Sequence, residues 1–319
     1  MTPSPFTYQK ESVEAGTRRH FEIPAGRLPS GSYLSLPLEV VHGLRPGPTV
    51  WLSGAIHGDE IVGVEIIRQV LGHLDPRDLA GTVLALPVVN VFGFVMESRY
   101  LPDRRDLNRS FPGSKSGSLA SRLARLFMDE VVARCSFGID FHAGSDDRTN
   151  LPQVRGNLDD AETRRLAAAF GAPIMIHSKP QKGTLRAATL RQKKRVLLFE
   201  GGEPRRFSPE AVASGVPGAL RTLQALGMLS DAPAAPDVQT RESRKTRWVR
   251  ASRGGIFRLE VALGDAVEKG DPLGIIADPT GADGTRVRAR RRGIVLGHTV
   301  NPLVNLGDAL VHLAEVEEG

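Results

Sequence analysis

A chain of 319 residues is long enough for one large domain and a smaller one. With 40% hydrophobic and 24% charged residues it has the balance of an ordinary soluble globular protein, and no window approaches the ~18 consecutive apolar residues of a membrane span. The net charge of +6 is spread along the chain, so it describes a solvated surface and argues against a nucleic-acid or membrane partner.

The N-terminal MTPSPFTYQKESVEAG lacks the apolar core of a secretory signal. Cys135 is the only cysteine, so no internal disulfide forms, and a cytoplasmic home is expected. Its apolar flanks (VVARCSFGID) mark a buried, inert thiol.

Residues 1–50 contain FEIPAG and SYLSLPLEVVHG, short strands joined by Gly/Pro turns, and PTVWLSGAI (48–56) is a further strand. Strands and helices then alternate. IVGVEIIRQVLGHL (61–74) has helical apolar spacing, and TVLALPVVN (82–90) is a continuous apolar strand. LASRLARLFMDEVVARC (119–135) is amphipathic, and SFGIDFHAG (136–144) is another buried strand. DDAETRRLAAAFG (159–171) opens with acids and closes at Gly171, as a helix does. IMIHS (174–178) and RVLLFEGG (195–202) read as strands. Continuous apolar strands between helices predict an α/β fold: a mixed, mostly parallel central sheet with helices on both faces. Reactive loops gather at the strands' carboxyl ends in such sheets.

DAPAAPD (231–237) reads as a linker, which divides the chain into a catalytic domain over 1–235 and a β-domain over 236–319. Within the second part, GDAVEKGDPLGII (264–276) and NPLVNLGDALVHL (301–313) share an apolar pair, a Gly-Asp turn and an apolar return strand. That echo predicts a small two-fold barrel or sandwich resembling a biotinyl/lipoyl carrier. No lysine follows Lys269, so a swinging-arm role is not expected.

Four short motifs carry chemistry. His57 and Glu60 flank a strand-to-helix turn, where both side chains can reach one point beyond the strand end, while Asp59 is placed to cap the helix. His312-Leu-Ala-Glu315 repeats the same spacing inside a strand, where positions i and i+3 face opposite ways, so it cannot form one site. In IDFHAG, Asp140 and His142 share a strand face. His142 would complete a two-histidine, one-carboxylate set, a recurring catalytic zinc arrangement, and Asp140 could hold the far nitrogen of a ligating ring. ESRYLPDRRDLNRSFPG presents Arg99, Asn108 and Arg109 for binding a carboxylate or amide, with Arg104 and Arg105 as surface charge. Glu200 ends an apolar strand, where a carboxylate suits a general base.

Together these pieces resemble the succinylglutamate desuccinylase/aspartoacylase family, zinc hydrolases on a carboxypeptidase-like fold with an added C-terminal β-domain. The matching segments are His57-Gly-Asp-Glu60, Asp106-Leu-Asn-Arg109 with Phe-Pro-Gly after it, Asp140-Phe-His142 and Glu200, in family order over about 50–205. The resemblance implies one Zn2+ per chain on His57, Glu60 and His142. It makes Glu200 the proton carrier between water and the leaving amine, and Asn108 and Arg109 the substrate contacts, with Arg109 polarising the scissile carbonyl or holding a carboxylate. Arg99 matches an upstream substrate arginine, and Arg186 in GTLRAATL a further carboxylate contact for which the nearby Arg191 is the alternative. N-acetylaspartate-specific relatives present a C-terminal-domain tyrosine to the substrate. Here the tyrosines are Tyr8, Tyr33 and Tyr100, so the resemblance stops short of that contact.

The expected function is therefore zinc-dependent hydrolysis of the amide of an N-acyl amino acid or similar small N-acylated amine. The alternative is a metallocarboxypeptidase-like peptidase acting on small peptides. A homo-oligomer is compatible with the sequence, which does not specify one.

Overall fold

The apolar runs marked as buried strands form the middle of one twelve-stranded sheet. The computed structural model describes residues 3–236, 240–281 and 283–316. Four parallel strands make the sheet's centre, in the order Arg195–Gly202, Phe137–His142, Arg45–Gly54 and Ala80–Leu86. Tyr33–His42 and Thr17–Arg27 extend one side antiparallel. On the other side Arg148–Gly156 pairs antiparallel with Arg195–Gly202, followed by Ile174–His177 and then the C-terminal strands. The mixed sheet matches expectation.

Helices Val62–His73, Ala161–Phe170 and Pro209–Ala225 cover one face, where Ile66, Leu166 and Leu223 pack with Phe141 and Phe199. Leu119–Glu130 and Leu185–Arg191 cover the other, with Phe127 and Leu185 in one cluster with Trp51 and Leu84. Each such fully buried large side chain stabilises the fold by roughly 1.5–3 kcal/mol. Cys135 is buried here, and burial pushes its thiol pKa far up, so the inert reading holds. No helix among the described residues is long and apolar enough to cross a membrane.

Local signals explain most boundaries. Asp160 accepts a hydrogen bond from the Thr163 backbone N–H, and Gly171, at φ 72°, ends the same helix in the left-handed conformation that favours glycine. The Asp59 cap is not formed. The helix begins at Val62 with Ile61 in the capping position, and no side chain bonds its first N–H groups. The intervening turn carries Asp59 away from the helix start and leaves its Oδ1 buried without a hydrogen-bond partner.

The 17-residue helix Pro209–Ala225 is absent from the sequence reading because Gly215, Pro217 and Gly218 interrupt its pattern. The glycines are packing features: a Cβ at Gly215 would strike Ile66, and one at Gly218 would strike Phe170. The missed signal is Ser208-Pro209, with Ser208 Oγ accepting from Ala211 N and proline in the first turn. The strand Arg148–Gly156 is likewise not among the expected elements, because its sequence mixes polar and apolar residues.

The C-terminal region is all β. A four-stranded sheet contains Gly284–Arg288, Pro272–Ala277, Gly255–Leu259 and Leu303–Val304. The internal echo is real in three dimensions. Its first copy leads from Ala266–Val267 in the large sheet to Pro272–Ala277 in the small one, and its second from Leu303–Val304 in the small sheet to Ala309–Val316 in the large one. Gly270 and Gly307, at φ 100° and 90°, occupy the matching turns. The strand pairings also close on themselves: Gly293–Thr299 pairs with Arg148–Gly156, completing a ring with Ile174–His177, Arg241–Arg250 and Ala309–Val316. The β-barrel is thus hydrogen-bonded to a strand that also borders the catalytic sheet's centre.

Candidate metal centre

Two neighbouring parallel strands deliver the first ligands. Arg45–Gly54 ends just before the His57 turn, and Phe137–His142 carries Asp140 and His142 at its last residues. Close approach sets their alignment: Gly138 pairs with Trp51, and the indole ring occupies the space a Cβ would need. Ser53 then lies opposite Asp140, and its hydroxyl donates to Asp140 Oδ1 at 2.7 Å.

Glu60 lies between the two histidines. Its Oε1 is 2.7 Å from His57 Nδ1 and its Oε2 is 2.7 Å from His142 Nδ1. The Ala143 backbone N–H also donates to Oε2 at 3.1 Å. The far ring nitrogens are held by carboxylates: His57 Nε2 lies 3.2 Å from Asp106 Oδ1 and His142 Nε2 lies 2.9 Å from Asp140 Oδ2. Asp106 is held in turn by the Arg99 guanidinium and by the Asn108 backbone N–H.

All three ligand-bearing residues are buried, and one ligand atom from each lies within 4.8 Å of the others. Two imidazole nitrogens and a carboxylate converging on one point, each ring oriented by an outer carboxylate, fit a divalent metal ion. The three groups also act on one another electrostatically. Burial alone would raise the Glu60 pKa, but His57 and His142 overcome it and hold the carboxyl far below the usual range. Burial opposes charge on both histidines, yet the carboxylates around them raise both pKa values, His142 most through Asp140 and Glu60. The neighbouring Asp59 is pushed up by burial and by the Glu60 charge.

The cluster forms one wall of a pocket of about 300 Å3. Arg99, Asn108, Arg109, Arg186 and Glu200 all line it. Their environments differ. Arg99 is half committed, with Nε and Nη2 on Asp106 and Nη1 3.3 Å from Glu60. Asn108 is buried, and its Oδ1 accepts the Leu185 N–H at 2.9 Å, tying the arginine loop to the start of the Leu185–Arg191 helix. Arg109 is exposed at the mouth. Arg186 bonds Ser178 through Nη1 at 2.7 Å and Nη2 at 2.5 Å, and burial, together with the Arg155 charge, brings its pKa down to about 10. Arg191 is exposed at the end of the same helix and does not line the pocket.

Sequence reasoning missed Asp106 as an outer partner of His57, although it stands within the quoted Asp106-Leu-Asn-Arg109 segment. It also missed Asn150 and Arg155, which approach Glu200 at 2.6 Å and 3.9 Å. The decoy pair behaves as expected. His312 stacks on Trp248 with ring centroids 4.5 Å apart, while Glu315 meets Arg247 and Arg291. Burial and the nearby Arg155 and Arg148 charges bring the His312 pKa down to about 3.

The family model for the succinylglutamate desuccinylase/aspartoacylase catalytic domain matches residues 46–226, the span that holds the metal cluster and the pocket-lining residues. The chain belongs to this family. It is 30% identical to the N-alpha-acetyl-L-2,4-diaminobutyric acid deacetylase of Halomonas elongata, over 99% of this chain and 96% of that protein. Among solved structures, a succinylglutamate desuccinylase/aspartoacylase from Rhodobacter sphaeroides superposes with a TM-score of 0.85 at 28% identity, covering 94% of this chain and 96% of that one. The product-bound ectoine utilization protein EutE (DoeB) from Ruegeria pomeroyi superposes with a TM-score of 0.84 at 25% identity, covering 93% and 95%. As a desuccinylase/aspartoacylase family member with a buried His/His/Glu cluster, the protein is a zinc-dependent amidohydrolase.

Proposed function

We propose that the enzyme hydrolyses the amide of a small N-acylated amino acid to a carboxylate and a free amine, using one Zn2+ per chain. In this reading residues 1–235 carry the catalytic groups and residues 236–319 the β-domain. The observation that carries the proposal is the placing of Glu60 between the Nδ1 atoms of His57 and His142, at the wall of an arginine-lined pocket. When bound there, zinc supplies Lewis-acid polarisation of the water and the scissile carbonyl.

The chain's own groups do the rest. The Glu200 carboxylate takes one proton from the attacking water as the new C–O bond forms, and returns it to the amide nitrogen as the C–N bond breaks, while the remaining proton of the new carboxylic acid passes to solvent. Arg109 donates to the carbonyl oxygen as negative charge gathers on it. Asn108 anchors the loop that presents Arg109. Arg186, held by Ser178, takes the substrate carboxylate in this reading, and Arg99 lines the same pocket while also orienting Asp106. An anionic substrate offsets this concentration of guanidinium charge. The name of the Halomonas elongata relative supports the substrate class and makes Nα-acetyl-L-2,4-diaminobutyrate the first compound to try.

The test combines metal analysis with a hydrolysis screen over acetylated and succinylated amino acids, acetylated diamino acids and short peptides. One zinc per chain, cleavage of an N-acyl amino acid and loss of turnover in Glu200→Gln with zinc retained are expected. Cleavage of peptides alone would replace this reading with the metallocarboxypeptidase-like one. Full activity in Glu200→Gln would overturn the assigned proton carrier.

A further inference from the structure

Glu200 stands at the carboxyl end of its strand, immediately before a register shift between Glu200 and Gly202. Its backbone stays paired with His142 and Gln153, so what remains is to fix the side chain's rotamer. Here two residues of the adjacent Arg148–Gly156 strand do so. Asn150 Nδ2 donates to Glu200 Oε2 at 2.6 Å, and Arg155 Nε lies 3.9 Å from Oε1. Because a carboxylate only accepts, the amide must face it through its nitrogen, which turns Asn150 Oδ1 the other way.

What meets that oxygen comes from the β-barrel. Asn150 is paired with Gly297 of Gly293–Thr299, next to a second register shift between Val295 and Gly297. A Cβ on Gly297 would lie 2.6 Å from Asn150 Oδ1 and 2.8 Å from the Thr149 carbonyl oxygen. Asn150 is buried between the two strands it pairs with, and its Oδ1 takes the place beside Gly297. The missing side chain at Gly297 makes that place.

We propose that Asn150 is a positioning residue for Glu200, and that Gly297 of the C-terminal barrel sets Asn150. The proposal rests on the reading of Glu200 as the proton carrier. It gives the β-domain a part in catalysis that needs none of its side chains in the pocket, in keeping with the absence of a C-terminal tyrosine. Asn150→Ala frees one carboxylate oxygen of Glu200 without touching His57, Glu60 or His142. Gly297→Ala reaches the same end by pressing on the amide from behind.

Two measurements test this, with Nα-acetyl-L-2,4-diaminobutyrate as the probe for the kinetic one. In Asn150→Ala and Gly297→Ala, kcat should fall by about tenfold, the order expected for one lost charge-assisted hydrogen bond, with KM and bound zinc unchanged. In a Glu200→Asp background, whose shorter carboxylate does not reach Asn150, the same Asn150→Ala change should cost less than about twofold. Equal losses in both backgrounds, or no loss in either single variant, would overturn the proposal. The second measurement needs no turnover. A crystal structure of Asn150→Ala or Gly297→Ala should show the Glu200 carboxylate rotated from its native position, and an unmoved carboxylate in both would overturn the proposal. Full activity in Glu200→Gln would instead remove the underlying reading while leaving the crystallographic result to stand.

Discussion

His57 Nε2 lies 3.2 Å from Asp106 Oδ1, so a carboxylate from the arginine loop sets the ring of a histidine 49 residues earlier. The same carboxylate takes the Arg99 guanidinium on its other oxygen. The metal cluster and the substrate loop are therefore joined through one side chain. Asp106→Ala should lower zinc affinity by about 10–100-fold, the usual effect of losing an outer partner of a ligating histidine. Competition with a chromophoric chelator measures it, and wild-type affinity would show that the contact does not orient the ring.

The cluster also predicts a pH dependence for the metal-free protein. Glu60 has a folded pKa below its ordinary value of 4.5, so its contribution is present above that value and is lost as pH falls through the folded pKa. His57 and His142 have folded pKa values above 6.5, so their contribution is complete below 6.5 and is lost as pH rises through those values. Metal-free protein should melt highest in the mildly acidic window between 4.5 and 6.5. Zinc needs neutral imidazoles, so its stabilising increment should grow from pH 6 to pH 8. Thermal melts with and without zinc across that range check this, and a constant increment would contradict it.

Gly138→Ala should destabilise the enzyme by about 1–3 kcal/mol, because its Cβ enters the space of the fully buried Trp51 ring. The strain falls two residues from Asp140 and four from His142. Urea unfolding measures the loss, and a change below about 0.5 kcal/mol would mean that the two strands separate easily.

Arg186 and Arg191 lie on one short helix but differ in exposure and in pocket contact. Arg186→Ala should raise KM by about 10–100-fold with a smaller change in kcat, as expected for a lost charge-assisted contact to a substrate carboxylate. Arg191→Ala should leave both constants within about twofold. Reversed outcomes in steady-state kinetics would exchange the two assignments.

His312→Ala should bind zinc as the wild type does, since the ring stacks on Trp248 away from the cluster. Direct metal analysis decides it.

The fold class, the two-histidine, one-carboxylate set and the family are legible in the chain's own residue order. Those properties are carried by local periodicity and by short motifs whose order along the chain is itself a signal. His57 and Glu60 stood apart from His312 and Glu315 because the residues around each pair specify a turn in one case and a strand in the other. Asp59 shows the limit of such reasoning: its position and type suit a cap, but the turn that brings Glu60 to the histidines places the helix start beyond its reach. Folding alone brings Asp106 to His57, turns Arg186 rather than Arg191 to the pocket, and sets a glycine of the barrel behind Asn150 and Glu200. These are contacts between segments 49 to 147 residues apart, made by strand pairing and loop docking. Their partners are chosen by geometry summed over the whole sheet, which no local window of sequence contains.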